Sequence, residues 1–193
     1  MHAVRPATAD DVRPLSRSLA RAFDDDPVMG FLFPSDGRRP DQLTRFFGYE
    51  VKARLGTVWT VDGQAGAAVW AAPDRWRTSP GEVVRGLPFF LRLFGRRLPT
   101  ALRLLSLIER HHPDEPHWYL AVLGTDPDHQ GTGVGSALLG PVLDRCDEQG
   151  LPAYLESSKE SNLAFYARHG FAVRTELRLP GGPPVWPMWR GPR

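Results

Sequence analysis

Residues 117–149 constrain the fold more than any other stretch of this chain. They begin with the nearly continuous apolar run His117-Trp118-Tyr119-Leu120-Ala121-Val122-Leu123 and a turn over Thr125–His129. Then come Gln130-Gly131-Thr132-Gly133-Val134-Gly135-Ser136 and a helical stretch to Gln149 carrying Ala137, Leu138, Val142 and Cys146. Such an apolar run suits a strand buried on both faces. A further strand over Pro152–Ser157 completes a strand–loop–helix–strand unit. Helix N-termini leave backbone N–H groups unpaired and carry the positive end of the helix dipole. Three glycines there let an anion reach the backbone without meeting side chains, so phosphate or pyrophosphate is the expected occupant.

Several sites have this outline. A P-loop requires Lys followed by Ser or Thr after its last glycine, and no Lys follows Gly135, which removes kinase and ATPase chemistry. A dinucleotide fold matches less well, because the third glycine falls one residue early. Glu156 does lie 21 residues beyond Gly135, near the spacing of a ribose-binding acid, but only 37 residues follow it. A plain glycine-rich turn is the remaining reading. Pro141 removes the partner of the Ala137 carbonyl and is expected to kink the helix.

The rest of the chain alternates helices and strands. Ala3–Pro6 reads as extended, and Thr8 or Asp10 can cap a helix with Val12, Leu15, Leu19, Ala22 and Phe23 at helical spacing. Asp24-Asp25-Asp26-Pro27 ends it, and a loop through Phe31-Leu32-Phe33-Pro34 leads to a helix near 41–55. Thr57–Val61 and Ala65–Ala71 flank the turn Asp62-Gly63, a hairpin signal. Residues 79–112 read as a helical, Arg-rich insertion. A helix over 161–169 follows, then a strand over 171–179, the turn Pro180–Pro184 and a strand over 185–190, where Pro187 suggests an edge strand or a bulge. The pattern predicts one α/β (α+β) domain over 1–193, with a mixed sheet and helices on both faces.

Composition narrows the function classes. Twenty-four Lys+Arg against 22 Asp+Glu give a net charge of +2, which provides no bulk attraction for nucleic acid. That balance conceals a contrast, because residues 75–110 hold eight Arg and only two acids. The single cysteine, Cys146, rules out an intrachain disulfide and a Cys-rich metal site; His111 and His112 are adjacent rather than at ligand spacing, so no metal is expected. The amino terminus lacks the apolar stretch of a signal peptide, and no apolar window is long enough to span a membrane, so a cytoplasmic location is expected.

Gln130-x-x-Gly133-x-Gly135, set between a strand and a helix, resembles the acyl-coenzyme A loop of GCN5-related N-acetyltransferases. The run Asn162-Leu163-Ala164-Phe165-Tyr166-Ala167-Arg168-His169-Gly170-Phe171 resembles the closing helix and turn of the same family. Pro127–Gly131, Gly135–Ala137, Pro152–Ser157 and Asn162–Tyr166 also resemble blocks of its puromycin N-acetyltransferase branch. The resemblance implies that backbone N–H groups of Gln130, Gly131, Thr132, Gly133, Val134, Gly135 and Ser136 hold the pyrophosphate of acetyl-CoA. It implies further that the exposed edge of strand 117–123, at Leu120, Val122 and Leu123, pairs with the amide-bearing arm, and that an N–H near Val122 or Leu123 polarises the thioester carbonyl.

On this resemblance Tyr166 protonates the departing thiolate, and Glu156 accepts the amine proton directly or through water. Asn162 would bind the arm. It lies four residues before the tyrosine, whereas much of the family has Asn seven before, a position that is Lys159 here. The acceptor would approach past Asp24, Asp26 and Phe31, whose charge and ring favour a cationic, partly apolar amine. The implied activity is acetyl-CoA-dependent N-acetylation of a small primary amine, an aminonucleoside or related antibiotic being one candidate, by a bacterial monomer or homodimer. Two alternatives are acetylation of a protein or peptide amine and a non-catalytic acyl-CoA sensor whose Arg-rich segment binds a partner or a membrane surface.

Overall fold

The computed structural model describes residues 2–77, 79–178 and 181–193. In chain order the elements are β1 (Val4–Pro6), α1 (Val12–Ala22), α2 (Pro27–Leu32), α3 (Arg39–Ala53), β2 (Val58–Val61), β3 (Gly66–Ala71), α4 (Pro80–Phe94) and α5 (Leu98–His111). The second half adds β4 (Trp118–Thr125), α6 (Val134–Gln149), β5 (Ala153–Ser157), α7 (Leu163–Arg168), β6 (Ala172–Val173), β7 (Leu177–Arg178) and β8 (Pro184–Arg190). The strands lie in the order β1-β2-β3-β4-β5-β8-β6, with β7 also on β8. Among the described residues only β4 and β5 run parallel, joined by the crossover that a parallel pair needs. The expected mixed-sheet α/β class is the one observed.

Two cores cover the faces of the sheet. On one, Leu15 and Leu19 of α1 and Leu43, Phe47 and Val51 of α3 pack on Val58, Ala67, Val69 and Val122. On the other, Leu138, Leu139, Val142 and Cys146 of α6 meet Ala68, Trp70, Leu120 and Leu155. The apolar periodicity of these helices is therefore the periodicity of their buried faces. The Arg-rich stretch forms α4 and α5. Ser79 and Glu82 close a capping box at the start of α4. Phe89 stacks on Tyr49 of α3, and Phe94 stacks on Phe33, each at 5.0 Å.

Some local expectations are corrected. Phe31 and Leu32 belong to a helix rather than a loop, because buried Asp26 accepts from Val28 N and Met29 N and starts α2. Thr8 caps a 3-10 turn, Ala9–Asp11, that runs into α1, while Asp10 is not a cap; Asp11, just before α1, accepts from the Thr8 N–H. The α6 helix runs to Gln149 with Pro141 inside it, as expected. The strand expected over 171–179 is two short pieces, β6 and β7, while Leu179 and Pro180 lie outside the described residues. Pro187 sits in an interior strand. Its carbonyl accepts from Arg174 N, just beyond the end of β6, so its missing N–H falls where no strand residue needs it.

The close meeting of β3 and β4 yields a direct prediction. A Cβ on Gly66 would lie 2.5 Å from the Gly124 carbonyl oxygen, a backbone atom that cannot rotate away. Gly66→Ala is expected to lower unfolding stability by about 2–3 kcal/mol, read as a shifted urea midpoint with an unchanged slope.

Candidate active site

The site originates in the way β4 and β5 separate. Trp118, Tyr119 and Leu120 pair with Ala153, Tyr154 and Leu155, and there the ladder stops. On its other side β4 pairs Leu120 with Trp70 and Val122 with Val69, leaving Ala121 as an extra residue. Such a bulge bends and twists the strand that carries it. The edge of β4 beyond Leu120 therefore has no strand beside it on the β5 side, and a cleft of about 630 Å³ opens there. This sharpens the expected open edge, which is the distal half of the strand only. Leu120, Val122 and Leu123 line the cleft, with Glu156 opposite and Tyr166 and Asn162 from the α7 side.

The glycine loop closes one end. Gly131 and Gly133 have φ of +75° and +89°, a conformation open to glycine at little cost. A Cβ on either would meet nothing within 4 Å, so this backbone faces open space. Gly133 is the residue before α6, and no side chain caps the helix there. The first-turn N–H groups of Val134, Gly135 and Ser136 thus have no helical acceptor. Gln130, Arg168 and His129 line the same cleft. This cradle fits a pyrophosphate. Gly135 serves packing instead: its backbone is helical, and a Cβ would lie 3.3 Å from the Phe165 ring of α7. Thr132 is not on the cleft, because its hydroxyl donates to the His129 carbonyl at 2.7 Å. Ser136 Oγ lies 3.0 Å from His169 Nε2, a pairing across 33 residues that no local motif signals.

Tyr166 is 8% exposed, with its ring edge-on to Phe165 at 5.2 Å and to Phe171 at 6.1 Å. Burial pushes its phenol up, and the nearby Asp26 charge acts in the same direction. Tyr166 therefore keeps its proton at neutral pH and is a donor. Glu156 lines the cleft, but its carboxyl is largely turned inward. Tyr119 donates to Oε2 at 2.8 Å, while Oε1 is buried without a hydrogen bond, 3.5 Å from His112 Nδ1. Asn162 precedes α7 and makes no capping bond with its side chain.

The residues expected at the acceptor side are scattered. Asp26 lines the cleft, yet its oxygens are taken by the α2 amides and by the Ser158 hydroxyl. Asp24 is exposed and off the cleft, because the turn after α1 directs it outward. Phe31 is off it too, packed in the first core with the Arg97 guanidinium 5.8 Å from its ring centre. Asp25, between Asp24 and Asp26, lines the cleft and pairs with Lys159. Among the described residues no group of three or more His, Cys, Asp or Glu could hold a metal ion, and no helix is long and apolar enough to cross a membrane.

A helix N-terminus, a splayed parallel strand pair and a buried phenol line one cleft. Residues 66–171 match the acetyltransferase (GNAT) family, and the chain belongs to that family. An uncharacterized N-acetyltransferase of Schizosaccharomyces pombe is 29% identical over 191 residues, spanning 92% of this chain and 77% of that protein. A Corynebacterium glutamicum structure described as histone acetyltransferase HPA2 and related acetyltransferase superposes with a TM-score of 0.76 at 26% identity, over 100% of this chain and 97% of the other. Arylalkylamine N-acetyltransferase 2 from Aedes aegypti shares the fold, with a TM-score of 0.63 at 10% identity over 100% and 99% of the two chains. The chain is an acyltransferase.

Proposed function

We propose that this acyltransferase uses acetyl-CoA to acetylate the primary amine of a small molecule by direct attack on the thioester. The observation that carries the reading is the meeting of four things in one cleft: an uncapped helix N-terminus, an unpaired strand edge, the Tyr166 phenol and the Glu156 carboxyl. Bound there, acetyl-CoA would supply an activated acyl carbon. The amides of Val134, Gly135 and Ser136 hold its pyrophosphate, and Gly131 and Gly133 keep the approach clear. The free edge of β4 receives the amides of its arm as an added strand would, and the N–H of Val122 or Leu123 polarises the acyl carbonyl. Glu156 takes a proton from the amine, and Tyr166 gives one to the leaving thiolate.

Direct attack is favoured because Cys146, the only cysteine, is fully buried in the α6 core with its thiol pushed up to about 12, chiefly by burial. A thiol in that state is neither nucleophilic nor reachable as an acyl carrier. A small acceptor is favoured because Ser158 with Asp26 and Lys159 with Asp25 join the two rims of the cleft. The sequence blocks make aminonucleosides the first acceptors to try. Purified protein, acetyl-CoA and a panel of aminonucleosides, arylalkylamines and peptides, followed by thiol release, test the reading. Release is expected with a small primary amine. Release with peptides alone would replace the acceptor class, and release with nothing would defeat the proposal.

A further inference from the structure

Behind Glu156 lies a line of buried groups that the acetyl-transfer scheme leaves idle. His112, just after α5, and His117, just before β4, are 7% and 1% exposed. Their Nε2 atoms are 3.0 Å apart, His117 Nδ1 is 2.6 Å from the Glu115 carbonyl oxygen, and His112 Nδ1 is 3.5 Å from Glu156 Oε1. Trp76 stacks on His112 at 3.6 Å, and the Tyr119 and Tyr154 rings stand edge-on to it at 4.8 and 4.6 Å.

Hydrogen-bond chemistry fixes the proton count along this line. A carbonyl only accepts, so His117 Nδ1 carries a proton. Burial holds the His117 imidazole below its usual value, the nearby His112 adding in the same direction against the pull of the Glu115 carbonyl, so the ring is neutral near pH 7. Its Nε2 then accepts from His112 Nε2–H, which in the neutral His112 ring leaves Nδ1 as a bare lone pair. That lone pair faces Glu156 Oε1, a buried acceptor with no hydrogen bond. The nearby Tyr154 hydroxyl makes no hydrogen bond either, and the two acceptors stand 3.5 Å apart with no proton between them. Three contacts share two protons, so the line is one short.

We infer that Glu156, His112 and His117 act as one proton acceptor, completed when a proton taken by the Glu156 carboxyl fills the contact between Oε1 and His112 Nδ1. This rests on the reading that Glu156 serves the acceptor amine. A protonated amine loses two N–H protons on becoming an amide. One passes to this acceptor, an N–H bond breaking and an O–H bond forming, and leaves to water after turnover. The other goes to the departing thiolate through Tyr166. His112 and His117 touch no substrate; they are positioning residues acting through Glu156.

The groups around the line leave that proton site distinct. Tyr119 and Tyr154 are pushed up by burial and then by the Glu156 charge, and stay protonated. The cations acting on them are Arg54, paired with Glu50 on α3, and Arg174, which follows β6. The Glu115 and Glu156 charges favour a proton on His117, and His112 opposes it.

Histidine 15N NMR on the full chain tests the inference without any acceptor. At about pH 8 the proton is expected on Nδ1 of His117 and on Nε2 of His112. Lowering the pH should add a single proton shared between Glu156 Oε1 and His112 Nδ1. In Glu156→Gln the amide donates to that nitrogen, and the shared proton should be absent. In His112→Gln, kcat/KM is expected to fall about tenfold, with its acid limb moved to lower pH and the KM for acetyl-CoA unchanged. Independent titration of the two rings, the opposite tautomers, uptake that persists in Glu156→Gln, or an unmoved limb would each overturn it. If the wild-type protein acetylates no amine while the shared proton is seen, the acetylation reading fails and the proton line stands.

Discussion

Replacing Tyr166 with Phe is expected to lower kcat about 10²- to 10³-fold while leaving coenzyme A affinity within about twofold. The hydroxyl donates to no protein group among the described residues, so its removal breaks no internal bond. The ring keeps its contacts with Phe165 and Phe171. What is lost is the proton donor, held protonated by burial and the Asp26 charge. A thiolate leaving without that proton carries a full charge into a partly buried cleft, which raises the barrier by about 3–4 kcal/mol at 1.36 kcal/mol per decade. Steady-state kinetics and calorimetric coenzyme A titration separate the two effects. An unchanged kcat would place the acid elsewhere.

Gly133→Asp should weaken coenzyme A binding about 100-fold, at a cost of about 1–2 kcal/mol in fold stability. The cost comes from the φ of +89° at this position, which strains any side chain, although Asp tolerates left-handed backbone better than most. Its carboxylate can accept from the first-turn amides of α6, which no side chain caps in the wild-type chain. Those are the donors proposed for the pyrophosphate, so the cap competes with the ligand and adds like charge beside it. Losing charge-assisted bonds of about 1.5–3 kcal/mol corresponds to roughly 10- to 100-fold, and repulsion acts in the same direction. Unaltered affinity in a variant that still unfolds cooperatively would remove the loop from the binding site.

Local pattern made much of the fold legible. The run into β4, the glycine loop, α6 and β5 were readable because an unbroken apolar run, turn-forming glycines and helical apolar spacing are each contained in a short stretch of chain. The hairpin at Asp62-Gly63 was readable because Gly63 adopts φ of +77°. What failed locally depended on neighbours. The stretch 171–179 has strand-like composition but pairs with β8 only in two short pieces. Asp26 looked like an acceptor-binding acid, yet α2 takes it as a cap.

The site was legible as a list of residues and illegible as an arrangement. Gly131, Gly133 and Tyr166 could be named because turn geometry and a family pattern mark them in the sequence. The inward turn of Glu156 could not, since it depends on the Tyr119 hydroxyl, 37 residues earlier on the neighbouring strand. By itself the sequence determined the strand–loop–helix unit, and with it the anion cradle, because backbone freedom and helix polarity are local properties. Only the tertiary structure decided where β4 and β5 part, what fills the space behind Glu156 and which acids stay free. Each of those is set by contacts between residues far apart in the chain, whose energies leave no periodic trace in the order of the amino acids.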